Sequence, residues 1–211
     1  MKFTALWLCM ILIAVFGLQL IVGTQFFVLD KSLVLSEPWR ILTAIFAHGS
    51  IGHLLSNLFG LGLFGLILEG RIGPKKVLGL FLFGGIIVNI FSIYDKSLGA
   101  SGAIYAILGC LVVLRPMLFV WVFGVPMPMI LAGVVWLVQD SIGLFLPTGI
   151  GNAAHISGLF IGIVYGIFLW KKFGDRFQRK KRDEILEKSI DEWEDMYMSK
   201  HKPREKLKKQ P

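Results

Sequence analysis

Six apolar runs constrain the fold of this 211-residue chain more than any other feature. Crossing the hydrocarbon layer of a bilayer takes about 20 apolar residues, with a range of about 17–25. We expect transmembrane helices at about 3–28, 51–68, 77–93, 101–115, 130–145 and 153–170. Only 17% of the residues are charged, whereas soluble domains have about 25%. The sequence therefore predicts an all-α membrane protein, a bundle of six transmembrane helices.

The segments between the runs differ in character. Residues 3–28 are too long for the apolar part of a secretory signal and lack its cleavage site, so we expect a retained first helix. The loop 29–47 is rich in apolar side chains, and we expect it to lie partly in the membrane against other helices. Residues 117–129 are predicted to be an apolar connection, because Pro126 and Pro128 interrupt them.

Positive charge is concentrated at the C-terminus, where 14 of the 22 Lys and Arg residues lie from Lys171 onward. The net charge of +8 therefore does not indicate nucleic-acid binding. We divide the chain into a transmembrane core, 1–170, and a basic cytoplasmic tail, 171–211. The loops that share a side with the termini carry more Lys and Arg than the other loops, so both termini are predicted to be cytoplasmic.

Two interpretations of the tail remain open. It could contact anionic lipid, or it could be a solvated charged helix that ends in disorder. Its apolar residues fall on one helical stripe: Leu186, Ile190, Trp193 and Tyr197. Elsewhere, Cys9 and Cys110 lie inside apolar runs. We expect them to be buried apolar side chains, with no disulfide, metal site or cofactor.

Polar residues inside the predicted spans are the candidates for function, because burying them in a membrane is costly. His53 and Asn57 are four residues apart and share a helix face, as do Ser101 and Tyr105. His155 lies in the first turn of the last helix. All five are expected near the outer ends of their helices, so they could converge on one site.

Small residues predict that the fourth and sixth helices pack closely, as small residues four apart do in membranes. The sixth helix carries Ala154, Gly158, Gly162 and Gly166, and the fourth carries Gly102, Ala106, Gly109 and Cys110. These two helices also carry Ser101 and His155.

This arrangement would suit nucleophilic catalysis. His155 could take the Ser101 proton and later protonate the leaving amine. The Ser101 N–H, Asn57 and His53 could stabilise an oxyanion. Further residues are given supporting roles: Gly99 and Gly102 would allow an unusual backbone and close approach of substrate, and Tyr105 would pack against the imidazole. No acid is obviously placed to orient His155, since Asp140 lies on the preceding helix, nearer its far end, and we therefore predict a dyad.

Structural roles are the alternative for each residue. Ser101 could cap a helix, and His155 could be a hydrogen-bonded core histidine. His53 and Asn57 could link helices. We expect His48 to bond loop backbone. Asn89 and Ser157 are expected to make helix–helix hydrogen bonds, and Glu69 and Arg71 to order the inner turn.

These residues resemble the rhomboid family of intramembrane serine proteases, over roughly residues 39–168. The motifs that carry the resemblance are Trp39-Arg40, His48-Gly-Ser-Ile-Gly-His53-Leu-Leu-Ser-Asn57, Glu69-Gly-Arg71-Ile-Gly73, Gly99-Ala-Ser101-Gly102 and Ala154-His155-Ile-Ser-Gly158.

The resemblance implies a six-helix rhomboid-like bundle with a Ser101–His155 dyad. It implies an oxyanion hole formed by His53, Asn57 and the Ser101 N–H, and an acyl-enzyme mechanism. The fifth helix and the loop after it would gate substrate entry. Substrates would be transmembrane proteins, cleaved in the membrane, and the expected location is the plasma membrane of a prokaryote.

Two other functions stay open at this point. One is a non-catalytic rhomboid-like protein that binds transmembrane helices, although such proteins typically lack the serine or the histidine. The other is a small transporter, for which broken helices at the midplane and internal repeats are typical. Both alternatives predict that no peptide bond is cleaved.

Overall fold

The computed structural model describes residues 3–146 and 151–197, with the side chains of 174–187, 191 and 193–197 excepted. The helices of the described residues are α1 Thr4–Val22, α2 Arg40–Thr43, α3 Ile51–Gly60, α4 Leu66–Ile72, α5 Pro74–Ile90, α6 Ser101–Leu114, α7 Met129–Gly143 and α8 Asn152–Tyr197. The strands are β1 Leu29–Asp30, β2 Lys96–Ser97, β3 Phe119–Val122 and β4 Val125–Pro128.

Within the described residues, three helical segments are long and apolar enough to cross a membrane: Thr4–Val22, Ile51–Ile72 and Asn152–Phe173. The second of these contains α3, a π-helical turn at Leu61–Gly65, and α4. Large apolar side chains are exposed along the helices, among them Ile21 at 83% and Phe59 at 69%. Such a surface suits lipid, whereas water would penalise it. The prediction of a helical membrane protein is confirmed.

Several helix ends differ from the predicted ones. α1 ends at Val22 because Gly23 adopts φ 94°, a conformation that favours glycine and stops a helix. The next span continues past the predicted end at 68 to Ile72. α5 begins earlier than predicted, at Pro74, since the fixed φ of proline suits a first helical turn.

The connection predicted over 117–129 is a β-hairpin. β3 pairs antiparallel with β4, with Phe119 opposite Pro128 and Val122 opposite Val125. The two turn residues, Phe123 and Gly124, have φ values of 50° and 79°, the positive values that a type I′ turn requires. Pro126 and Pro128 argue against a strand because proline has no N–H to donate to a neighbouring strand. Both strands of an isolated hairpin are edge strands, however, and some of their positions need no such donor.

The first loop is fixed to the segment that leads into α6. β1 pairs with β2, with Leu29 opposite Ser97. The buried guanidinium of Arg40 donates to the carbonyl oxygens of Gln25 and Val28, at 2.6 and 2.8 Å. Below the loop, the Asn89 amide donates to Ile41 O of α2 at 2.8 Å. Asn89 therefore bonds the helix that lies within the loop.

α6 and α8 approach each other closely along the predicted stripe of small residues. A β-carbon added at Gly158 would lie 3.1 Å from Tyr105 Cβ and closer still to Gly102 O. One added at Gly162 would lie 2.9 Å from Ala106 Cα. Since backbone atoms cannot move aside, only glycine fits at these positions. The close approach of the two helices is confirmed.

The chain divides into one compact unit that ends at Phe168 and a second that begins at Leu169. α8 does not end near residue 170 as expected but continues to Tyr197. The side chains of three residues of the predicted apolar stripe, Leu186, Trp193 and Tyr197, lie outside the described part of the structure. Residues 198–211 of the tail also lie outside it. Contact of the tail with lipid stays a prediction.

Candidate active site

Ser101 is the first residue of α6, and the residue that precedes the helix is Ala100. The Ser101 hydroxyl has no hydrogen-bond partner among the described residues, so the interpretation of Ser101 as a helix cap is wrong. The first hydrogen bond of the helix runs from Ile104 N–H to Ala100 O, at 3.0 Å. The N–H of Ser101 lies before this ladder, at the positive end of the helix dipole.

Gly99 shapes the backbone that presents Ser101. Its φ is 121°, and its N–H donates to Ala44 O at 2.8 Å. A β-carbon at this position would lie 2.7 Å from His53 Cε1 and 2.8 Å from His53 Nε2. The turn before Ser101 therefore packs directly against the His53 ring. The unusual backbone that was predicted for Gly99 is present, whereas Gly102 lies within α6 and has no positive φ. Close approach of substrate at these glycines stays a prediction.

The imidazole of His155 lies against an acidic side chain, that of Asp140, contrary to the prediction from sequence. Its Nδ1 lies 2.9 Å from Asp140 Oδ1, and the Asp140 side chain is 2% exposed. The expectation that no acid lies beside His155 is wrong. Asp140 occupies the last turn of α7 and His155 the first turn of α8, so the two side chains meet where these ends of the helices lie close together.

The same hydrogen bond selects one tautomer of the imidazole. An ionised carboxylate can only accept hydrogen bonds, so Nδ1 of His155 must carry the hydrogen. In the neutral ring, Nε2 then has a free lone pair and can accept a proton. A general base that activates a serine needs this tautomer.

Tyr105 stacks on His155. The ring centroids are 4.2 Å apart and the planes differ by 8°. Tyr105 lies one helical turn after Ser101, on the face of α6 that meets α8. The predicted contact between the tyrosine and the imidazole is confirmed. The stacking restricts tilting of the His155 ring out of its plane, and the hydrogen bond between Nδ1 and Asp140 restricts rotation within that plane.

His53 and Asn57 lie on the inner face of α3. The Ser50 hydroxyl caps this helix by accepting the His53 N–H at 3.1 Å. The Asn57 amide nitrogen donates to His53 O at 2.8 Å. An amide nitrogen carries two hydrogens, so that bond leaves a second N–H for another acceptor.

His48 has the structural role that was expected. Its buried ring bonds Phe46 O through Nδ1, at 3.2 Å. Burial lowers the pKa of His48 from 6.5 to about 4, so the ring is neutral at physiological pH. Its backbone pairs with the Gln19 side chain, which accepts the His48 N–H at 3.0 Å and donates to His48 O at 3.3 Å. Gln19 was missed, although a glutamine inside an apolar run is itself a signal.

A cavity of about 880 Å³ brings the candidate residues together. Ser101, His155, His53 and Asn57 all line it. The β3–β4 hairpin contributes Phe119 and Trp121 to its lining. The walls are mainly apolar and also include Phe64, Leu108 and Trp136.

Two of the remaining polar residues behave differently from expectation. The Ser157 hydroxyl donates to Ala153 O of its own helix at 2.7 Å. This bond lies within α8 and does not link two helices, as had been expected. The Glu69 carboxylate accepts the N–H groups of Thr4 and Ala5, both at 3.0 Å. Glu69 therefore caps α1, besides lying in the turn that it was expected to order.

The fold and the cavity define a helical membrane protein with a serine and a histidine at a shared site. A profile of the Rhomboid domain matches residues 35–172. The rhomboid protease GlpG of Haemophilus influenzae is 33% identical over 134 residues, which cover 62% of this chain and 69% of that protein. The chain therefore belongs to the rhomboid family.

Relatives in eukaryotes are longer. Rhomboid protein 1, mitochondrial, of Saccharomyces cerevisiae is 31% identical over 172 residues, which cover 74% of this chain and 49% of that protein. RHOMBOID-like protein 6, mitochondrial, of Arabidopsis thaliana is 30% identical over 154 residues, which cover 68% of this chain and 50% of that protein. The chain thus spans about half the length of these two relatives.

Proposed function

We propose that this protein is an intramembrane serine endopeptidase that cleaves transmembrane segments of membrane proteins. The observation that carries the proposal is the shared cavity, which Ser101 and His155 line together with the polar side chains of His53 and Asn57. The name of the Haemophilus relative, a rhomboid protease, agrees with this chemistry.

In the proposed reaction, Nε2 of His155 takes the proton of the Ser101 hydroxyl while Oγ attacks the scissile carbonyl carbon. The carbonyl oxygen becomes an oxyanion. His155 then gives its proton to the leaving amine nitrogen, and an acyl-enzyme remains on Ser101. Water, activated by the same nitrogen, attacks the ester, releases the carboxylate product and restores the serine.

Three donors are proposed for the oxyanion. The Ser101 N–H lies at the start of α6, where the helix leaves it without an intrahelical acceptor. The second amide hydrogen of Asn57 and a ring N–H of His53 are the other two, because both side chains line the same cavity as Ser101. Such donors stabilise charge that develops only in the transition state, which is why each contributes strongly to the rate.

The lining of the cavity supports a membrane segment as substrate. Ser101 and His155 line it together with apolar side chains such as Phe64, Leu108 and Trp136. A cavity with mainly apolar walls and a few polar groups fits an apolar segment whose scissile bond lies at those polar groups.

We further propose six membrane spans with both termini in the cytoplasm, because the loops on that side carry more Lys and Arg than the others. A prokaryotic plasma membrane is the proposed location. The bacterial relatives support it, and relatives whose names place them in mitochondria are similar to the chain as well.

A cleavage assay tests the function. Purified full-length protein in liposomes is mixed with a model single-span substrate, beside the Ser101→Ala and His155→Ala variants. We expect cleavage by the wild type and none by either variant, with all three equally folded by thermal melting. Equal cleavage by all three would contradict the proposal. Binding of a substrate panel without any cleavage would favour the non-catalytic alternative.

A further inference from the structure

We propose that Asp140 is a positioning residue that sets the tautomer and orientation of His155, so that the site works as a serine–histidine pair with a third, acidic member. The inference rests on the proposed function for its kinetic consequences. Its structural part, the state of the His155 ring, holds whether or not the protein cleaves peptide bonds.

The first support is geometric. A carboxylate oxygen lies 2.9 Å from Nδ1 of His155, within the range of a charge-assisted hydrogen bond. The two side chains belong to different helices, α7 and α8. Tyr105 on a third helix, α6, stacks on the same ring. The imidazole is therefore restrained in its plane and along one edge, and Nε2 remains for Ser101.

The second support is the burial of the acid. The Asp140 side chain is 2% exposed and that of His155 is 12% exposed. The other carboxylate oxygen, Oδ2, is buried with no hydrogen-bond partner among the described residues. A buried carboxylate with a single hydrogen bond is costly for stability. An apolar residue at this position could fill the same space without that cost. The presence of a carboxylate is therefore explained by its hydrogen bond to His155.

The chemistry follows from the charge. When His155 takes the serine proton it becomes a cation beside Asp140, and the negative carboxylate stabilises it. The transition state gains from this interaction because the ring is neutral beforehand. Because Asp140 is carried by α7, any movement of α7 away from α8 would also release the His155 ring.

Nuclear magnetic resonance of the histidine ring nitrogens tests the structural part. Full-length protein with ¹⁵N-labelled histidine is prepared in detergent, and the His155 signals are assigned from their loss in His155→Gln. We expect a proton on Nδ1 in the wild type and a changed tautomer ratio in Asp140→Asn. If the spectrum of the wild type showed the proton of the neutral ring on Nε2, that result alone would overturn the proposal.

Kinetics test the catalytic part. Asp140→Asn should lower kcat by about 10- to 100-fold and change KM little, because a misplaced tautomer affects the transition state.

Two further variants separate position from packing. Asp140→Glu keeps the charge and should restore part of the lost kcat. Ser141→Ala is the matched control on the same helix, because it removes only a bond to Leu137 O within α7, and it should keep the wild-type kcat. An Asp140→Asn variant with full kcat would overturn the role of Asp140, while loss of cleavage in Ser101→Ala would still support the proposed function.

Discussion

The rings of Tyr105 and His155 stack with their centroids 4.2 Å apart and their planes within 8° of each other. The stacking itself is made by the aromatic ring, which phenylalanine also has. Tyr105→Phe should therefore keep most of the cleavage activity. Tyr105→Leu removes the flat surface and should lower kcat by about tenfold, since a small loss of orientation is costly for a general base. Initial rates with a transmembrane substrate measure both, and equal activity of the two variants would contradict a role for the stack.

Gly99 should be intolerant of any side chain. Gly99→Ala puts a methyl group 2.7 Å from His53 Cε1 and forces alanine into φ 121°. Gly124→Ala in the hairpin is the matched control, because its φ is 79° but no atom lies within 4 Å of the added carbon. We expect Gly99→Ala to lose at least about 90% of the activity, since an oxyanion donor and the serine both move.

The Gly124→Ala control should lose some thermal stability and keep its activity. If both variants were equally active, the contact between Gly99 and His53 would have no catalytic importance. Loss of activity in both would mean that backbone strain alone explains the effect.

Close packing of α6 and α8 predicts a third result. Gly162→Val would place side-chain atoms against Ala106, whose Cα would lie 2.9 Å from the added β-carbon. Overpacking of this kind costs about 1–3 kcal/mol. Gly79→Val, on α5, makes the same change where nothing lies within 4 Å. Thermal melting in detergent should therefore fall clearly for the first variant and little for the second, and a reversed order would contradict the packing.

The pH dependence of stability should depend partly on His48. Burial lowers the pKa of His48 from 6.5 to about 4, so below about pH 6.5 the unfolded chain binds a proton that the folded chain excludes. Stability is therefore complete above that pH and declines as the pH falls toward 4, by at most about 3 kcal/mol. Melting of the wild type and of His48→Gln across this range measures it. The variant should show the shallower decline, and identical slopes would exclude the contribution of His48.

The sequence predicted the membrane class and much of the site, because the signals were local. Ser101 and Tyr105 are related by one helical turn, and the small residues of α6 and α8 repeat every four positions. Polar residues in apolar runs stand out for the same reason. Spacing within a helix is fixed by geometry, so these relationships did not require a structure.

The contact of Asp140 with His155 and the β-hairpin were not predicted, because both depend on how separate elements come together. The sequence places Asp140 near the end of the fifth helix, but spacing along the chain does not give its distance from the sixth helix. The structure brings Asp140, in the last turn of α7, against His155 in the first turn of α8. The hairpin was missed because Pro126 and Pro128 argue against strands, while the positive φ of Phe123 has no clear signal in sequence.

The most direct test of the central claim, that Ser101 is a nucleophile activated by His155, is covalent labelling with a fluorophosphonate probe. The full-length protein in detergent is treated with the probe, and the adduct is located by mass spectrometry in the wild type, Ser101→Ala and His155→Ala. The account predicts one adduct on Ser101 in the wild type, none in Ser101→Ala and a much slower reaction in His155→Ala. Labelling at another residue, or an equal rate without His155, would contradict it.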